Sequence, residues 1–243
     1  MPEGPSIVIV KEEVESFTGK EIIEVSGNTK VDVSRAAHNK VIAFKSWGKH
    51  FLICFDNFTI RIHFMLFGSY RINERKDSPP RLSLVFKDSE INFYACSVKV
   101  LEGDINGHYN WSEDVMNEEW NPAAAKGKLL NSPDKLACDA LLEQDIFSGV
   151  GNIIKNEVLY RIHIHPEAKV GNLPPDKLDE MIDEARIYSF QFLDWKKKYE
   201  LKKHWLAHTK KTCLRCNLPI IKKITGTKKR RSFFCTNCQY LYE

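Results

Sequence analysis

Apolar residues first recur at Ile7, Val10, Val14 and Phe17, an i, i+3, i+7, i+10 series that predicts a helix with one buried face, opened by Pro5. The period then changes. Between residues 20 and 101, short segments rich in Val, Ile, Phe and Tyr fall at 40–44, 51–55, 59–64, 68–72, 81–86 and 91–95. Turn formers such as Asp56-Asn57 and Ser78-Pro79-Pro80 separate them, and strands at this spacing predict a β-sandwich or barrel. Met65, Leu66 and Phe67 interrupt one such strand ahead of Gly68; unaided, three large apolar residues at a turn read as buried core as readily as anything else.

After Leu101 the pattern turns polar, and 103–121 reads as a linker. From Pro122 the spacing is helical. Ser132 and Pro133 look like an N-cap and a first-turn proline, predicting a helix to about Ile146. Ser148-Gly149-Val150-Gly151 breaks it, a second helix runs from Asn152 to about Ile162, and a third spans roughly 175–199. On the second helix, Ile153, Ile154, Val158 and Leu159 read as core. The expected organisation is an α+β chain: a helix and β-sandwich over 1–102, a linker over 103–121, a helical domain over 122–205 and a cysteine-bearing hairpin over 206–243.

Composition narrows this. The 243 residues are 43% hydrophobic and 28% charged, the profile of an ordinary globular protein, with no run of 18 apolar residues and no export leader at the start. The protein is expected to stay in the cytoplasm. Net charge is only +4, yet 196–231 holds fourteen Lys or Arg against one acid, Glu200. Trp205, Leu206, Ile220, Ile221, Phe233 and Phe234 interleave those charges, so the stretch reads as a folded, phosphate-facing surface.

Of seven cysteines, Cys54, Cys96 and Cys138 lie in apolar surroundings and read as small buried hydrophobes. Cys213-x2-Cys216 and Cys235-x2-Cys238, eighteen residues apart, suit tetrahedral zinc, with a β-hairpin between the pairs. Disulfides or an iron–sulfur centre are the other readings of such a set. With every position taken by protein, the metal is expected to fold the hairpin and not to catalyse. Lys228, Lys229, Arg230 and Arg231 precede the second pair and can lie along a nucleic-acid backbone.

Gly149 and Gly151 allow a sharp turn between two helices, and the free amides of the second helix favour a phosphate; Asn152 can cap that helix or donate outward. Pro2, once the initiator methionine is removed, is a secondary amine. An α-amino group titrates near pKa of about 8 against about 10.4 for lysine, so more of it is neutral and nucleophilic at pH 7. Glu3 beside it can move protons.

Together, MPEGP at the start, GVGN between two helices, and a CxxC…CxxC hairpin with an arginine five residues before its third cysteine resemble the formamidopyrimidine-DNA glycosylase / endonuclease VIII family. The resemblance runs over nearly the whole chain in order. It implies a bifunctional enzyme that removes an oxidised base and cuts the strand by β- and δ-elimination through a Schiff base on Pro2. Pro2 is then the nucleophile and Glu3 the general acid. Lys49, His63, Asn152 and Arg230 match phosphate contacts, with Pro2, Glu3, Lys49 and Arg230 as the expected catalytic set. Gly149, Gly151, Lys228 and Arg231 join the DNA-binding surface. Leu66 is the first candidate for a wedge filling the space of the flipped base, with Met65 and Phe67 flanking. Without the family, Lys49 is an ordinary lysine, His63 a core histidine and Arg230 one cation among many.

Three departures matter. The arginine-and-phenylalanine wedge of the formamidopyrimidine branch is absent from 94–100, and only about a dozen residues, 199–211, stand where that branch carries a long base-capping loop. Both favour the endonuclease VIII branch and oxidised pyrimidines over 8-oxoguanine or formamidopyrimidines. Ser6 stands where the family usually has a second glutamate. The resemblance further implies one structural zinc ion, damaged double-stranded DNA held in a cleft between two lobes, a monomer, and a bacterial, nucleoid-associated setting. The competing classes are a non-catalytic damaged-DNA-binding protein, which follows if Met1 is retained, and a zinc-ribbon RNA-binding or ribosome-associated protein.

Overall fold

The structure, a computed structural model, describes residues 2–243; Met1, and with it the question of its retention, lies outside the described residues. The chain divides into two compact units, one ending at Asn110 and one beginning at Trp111.

The first unit opens with α1 (Gly4–Val14), continued by a 3-10 turn (Glu15–Phe17). Pro5 sits in the first turn, and Ile7, Val10, Val14 and Phe17 are all buried, as their spacing requires. Six antiparallel strands follow: β1 (Glu24–Ser26), β2 (Ala43–Trp47), β3 (His50–Cys54), β4 (Phe58–Ile72), β5 (Leu82–Phe86) and β6 (Ser89–Glu102), in the order β1-β5-β6-β4-β3-β2. Both β4 and β6 are long enough to serve two leaves. The first half of β4 pairs with β3 and with the end of β6; its second half pairs with the start of β6, which also carries β5. The leaves share one core, with the rings of Phe51 and Phe93 5.8 Å apart, giving the expected sandwich.

Several strand limits differ from those expected. The segments 59–64 and 68–72 form one strand, and 91–95 is the start of a strand that runs to Glu102. The expected 40–44 strand begins at Ala43 and runs to Trp47, because its hairpin closes only at Gly48, which takes a positive φ of 52°. The short edge strand β1 is mostly exposed and polar, so it lacks the apolar alternation that marks a strand. Between the pairs Phe64↔Cys96 and Ser69↔Tyr94, the four residues 65–68 of β4 stand against Ala95 alone, which adopts φ +46°. Here the chain doubles back so tightly that a Cβ on Gly68 would lie 2.6 Å from that of Phe64. Met65, Leu66 and Phe67 are thrown outward, 52%, 64% and 82% exposed, which removes their reading as buried core.

The second unit contains α2 (Pro122–Leu130), capped by the Asn121 side chain, α3 (Ala137–Ala140), α4 (Asn152–Arg161), α5 (Pro175–Lys197) and a hairpin of β7 (Ile221–Thr225) and β8 (Arg230–Phe234). Two expectations need correction. The helix read from Ser132 to Ile146 is four residues long and starts after Leu136, not Ser132. The amides of Ala137 and Cys138 are taken by the carbonyls of Ala168 and Pro166, and Leu136 bridges to Lys169, so the backbone before Ala137 serves another chain segment. The expected linker is structured in part: Val115 is fully buried in the second core, and Asp114 bridges to Ser148. Cys54, Cys96 and Cys138 are buried as expected. Among the described residues, no helix is long and apolar enough to cross a membrane.

Candidate functional site

Glu3 occupies the cap position of α1 in extended backbone, its carbonyl accepting from the Ser6 amide at 2.8 Å, but its carboxyl does not cap the helix. That carboxyl belongs to a residue only 3% exposed, directly after the half-buried Pro2. A buried acid thus directly follows Pro2 in the chain.

The two-residue turn Gly48–Lys49 joins β2 to β3, placing Lys49 at a hairpin tip. The register then sets His50 against His63, and His63 Nδ1 lies 3.2 Å from the Lys49 carbonyl. That carbonyl accepts, so Nδ1 carries the hydrogen and Nε2 of a neutral ring can only accept. A phosphate contact through Nε2 therefore needs the doubly protonated ring, which burial disfavours in the free protein. Behind this pair, His50 Nδ1 lies 3.2 Å from the Tyr109 hydroxyl, and the Trp47 and Tyr109 rings are 5.1 Å apart.

Burial, reinforced by Arg61 and other nearby cations, pushes His50 down to about 3. Unfolded, the same ring titrates near pKa of about 6.5. Between these values the unfolded chain binds the extra proton, so stability is expected to fall as pH drops from about 6.5 towards 3. Thermal melts across that window check this: His50→Gln should flatten the decline, and a wild-type profile already flat would contradict it.

In the second unit, Gly149 takes φ +97° and its N–H donates to Gln144 Oε1, while Gln144 Nε2 donates to the Leu142 and Val150 carbonyls. Gln144 thus laces the glycine turn, a role the sequence did not suggest. Gly151, in extended backbone, holds the cap position of α4; Asn152 is the first helical residue and does not cap it. Its Oδ1 is buried without a hydrogen-bond partner. Gly151, having no side chain, offers no side-chain cap to α4.

The polar stretch Lys155, Asn156, Glu157 of α4 is buried and turned towards the hairpin segment. Glu157 accepts from the amides of Leu206, Ala207 and His208. Asn156 Oδ1 accepts from the Phe233 amide, and Lys155 donates to the Arg231 carbonyl and the Ser232 hydroxyl. Beyond α4, Asp139 accepts from the Thr227 and Lys228 amides in the hairpin turn. Sequence reading missed these four. The available signal was a polar triplet on a helix that is apolar on either side, since buried polar groups must find partners. At the tip, Lys228 pairs with Glu143 at 3.0 Å, while Arg230 and Arg231 are exposed at the start of β8.

The Sγ atoms of Cys213, Cys216, Cys235 and Cys238 all lie within 4.8 Å of one another, with Cys213–Cys238 at 3.7 Å and Cys216–Cys235 at 3.5 Å. A tetrahedral centre with zinc–sulfur bonds of about 2.3 Å needs sulfurs about 3.8 Å apart, so the four thiols fit a metal such as zinc.

Two family models match the chain: the formamidopyrimidine-DNA glycosylase N-terminal domain over residues 1–96, and the formamidopyrimidine-DNA glycosylase H2TH domain over 112–187. The chain belongs to the formamidopyrimidine-DNA glycosylase / endonuclease VIII family. Among relatives, it is similar to endonuclease 8-like 3 of Mus musculus, 29% identical over 201 residues covering 79% of this chain and 33% of that one. It is also similar to the DNA-(apurinic or apyrimidinic site) lyase Nei2 of Mycolicibacterium smegmatis, 28% identical over 71% of each. The chain spans about a third of the length of the endonuclease 8-like 3 proteins it matches. In fold it resembles the Lactococcus lactis formamidopyrimidine glycosylase bound to DNA containing an abasic site, with a TM-score of 0.85 at 21% identity over 98% of this chain and 99% of that one. The family's N-terminal domain thus takes in Pro2, Glu3, Lys49, His63 and the 65–68 loop, and its H2TH domain the glycine turn and Asn152. The hairpin lies beyond both matched stretches, so its reading rests on geometry.

Proposed function

We propose that the chain is a bifunctional DNA glycosylase and abasic-site lyase acting on oxidised bases, pyrimidines above all, in damaged duplex DNA. The observation that carries this is the buried Glu3 at the head of α1, directly after Pro2 in the chain. With Met1 removed, the Pro2 nitrogen attacks C1′ of the damaged nucleotide. The C1′–base bond breaks, and the base leaves with a proton. Glu3 protonates the ring oxygen O4′ as the sugar opens, leaving an iminium between Pro2 and C1′. Loss of a C2′ proton then expels the 3′ phosphate, a second elimination expels the 5′ phosphate, and water releases Pro2. Schiff-base chemistry requires a neutral amine, which an α-amino group supplies near neutral pH.

Lys49 and the protonated His63 ring would hold a phosphate in the first unit; Asn152 and Arg230 would do so in the second. Leu66, with Met65 and Phe67, is exposed and apolar, suited to fill the space of a flipped base. The preference for pyrimidines is supported by the chain after α5, which holds only a 3-10 turn (Leu201–His204) before the first cysteine, too little for a substantial base-capping loop. Zinc on the four cysteines would fold the hairpin. The protein is read as a monomer of the cytoplasm.

The test is direct. Incubation with duplexes carrying thymine glycol, 8-oxoguanine or an abasic site, followed by borohydride, should trap a covalent complex on thymine glycol and abasic DNA and little on 8-oxoguanine. Tight binding with no trapping on any substrate would make it a damage-binding protein and sink the enzyme reading. Arg230→Ala should weaken binding about tenfold, the scale of one charge-assisted contact. It should do so about equally across sequences and lower the slope of log K against log salt by about 0.9. Loss confined to one base context would instead indicate base readout.

A further inference from the structure

We propose that Lys155 is a positioning residue that fixes the hairpin tip so that Arg230 meets its phosphate; this rests on the reading of Arg230 as a DNA contact. Lys155 lies within α4, is 0% exposed, and donates to the Arg231 carbonyl at 3.0 Å and to Ser232 Oγ at 2.8 Å. A buried ammonium is expensive, and replacing such a group by an apolar one is often neutral or stabilising. Stability alone therefore does not account for a lysine here. What it supplies is a fixed link between α4 and the first residues of β8.

The hairpin needs that link. Two-stranded hairpins are marginal by themselves. Cys235, the nearest metal ligand along β8, is five residues from Arg230, about 16 Å at strand rise, so the metal clamps the far end and not the tip. The tip is held instead from two sides. Lys155 grips β8, and Asp139 accepts from the Thr227 amide at 2.7 Å, the Thr227 hydroxyl at 3.0 Å and the Lys228 amide at 3.1 Å. The turn presses so closely on Asp139 that a Cβ on Gly226 would overlap its carboxylate. Arg230 thus springs from a segment pinned at Thr227–Lys228 on one side and at Arg231–Ser232 on the other.

Lys155→Met is a tolerable probe. The Arg231 carbonyl keeps the Asn156 side chain at 3.3 Å, and Ser232 Oγ keeps Thr225 Oγ1, so no acceptor is orphaned. The experiment is a double-mutant cycle between Lys155→Met and Arg230→Ala on full-length zinc-loaded protein. Affinity is read on a duplex with a tetrahydrofuran abasic analogue over a salt series, with zinc content and melting temperature measured for each variant. Lys155→Met is expected to retain zinc and weaken binding about tenfold, within the coupling that neighbouring residues show. It should lower the salt slope by about 0.9, as loss of one phosphate contact does. The double variant should bind no more weakly than Arg230→Ala alone. A merely structural lysine would lower the active fraction and leave the slope unchanged. If Lys155→Met loses zinc, Gly226→Ala, which pushes the turn off Asp139 without touching α4 or the ligands, must show the same non-additivity. Additive effects, or an unchanged slope where Arg230→Ala changes it, overturn the proposal. If Arg230→Ala itself leaves the slope unchanged in protein that still traps on borohydride, the Arg230 contact falls and this inference with it, while the glycosylase reading stands.

Discussion

Protein that keeps Met1, or carries any tag ahead of Pro2, is expected to give no borohydride-trapped complex on thymine glycol, 8-oxoguanine or abasic DNA. An amide nitrogen has no lone pair available for attack at C1′, so the loss should be complete and should not depend on the base. Mass spectrometry of the mature N-terminus establishes which form is under test. Glu3→Gln should behave differently. Its amine is intact, but the buried side chain next to it can no longer give a proton. Removing a positioned general acid costs about 10²- to 10⁴-fold, and that loss should fall mainly on base excision, where sugar opening and base departure both need protonation. An abasic substrate already offers an aldehyde, so nicking there should survive in part. Ser6, where the family usually carries a second glutamate, should tilt the unaltered protein the same way, towards abasic DNA. Trapping by N-terminally blocked protein would mean that a lysine attacks, and the mechanism would be wrong.

Chelation, or Cys235→Ser, should unfold the hairpin and reduce DNA binding by more than an order of magnitude. The apolar support of the hairpin is small: Tyr160, Ala207, Ile220 and Phe233 with the ligands Cys213 and Cys235 form its buried cluster. Structural zinc supplies about 10–16 kcal/mol to small metal-folded peptides, far more than such a cluster can replace. The first unit has its own core, built from α1 and the sandwich without any of these residues, and should keep its near-ultraviolet circular dichroism and its amide protection. Normal binding and nicking of abasic DNA by the metal-free protein would refute a structural metal.

The candidate site residues were the more legible part of this chain, because their spacing is itself the signal: two Cys-x2-Cys pairs, two glycines before an asparagine, a proline at position 2. The register that brings Lys49 to His63 was not legible, since it depends on where β2 turns, and β2 runs three residues beyond the end of the expected strand. Helix length failed at 132–146 for a related reason. Good capping residues were present, but the amides of Ala137 and Cys138 had partners at 166–168 that no local pattern announces. Lys155, Asn156 and Glu157 escaped because a polar triplet on a helix normally reads as a solvated face, and here it is the seam between α4 and the hairpin.

The loop at 65–68 has a consequence for how such a protein can change over time. The pairs Phe64↔Cys96 and Ser69↔Tyr94 hold the sheet in register on either side of it, with Ala95 alone taking up the mismatch. The identities of Met65, Leu66 and Phe67 are therefore uncoupled from strand pairing. One apolar tip can be exchanged for another of different bulk without slipping either leaf of the sandwich. The scaffold leaves those three positions free to change while the core that carries them stays as it is.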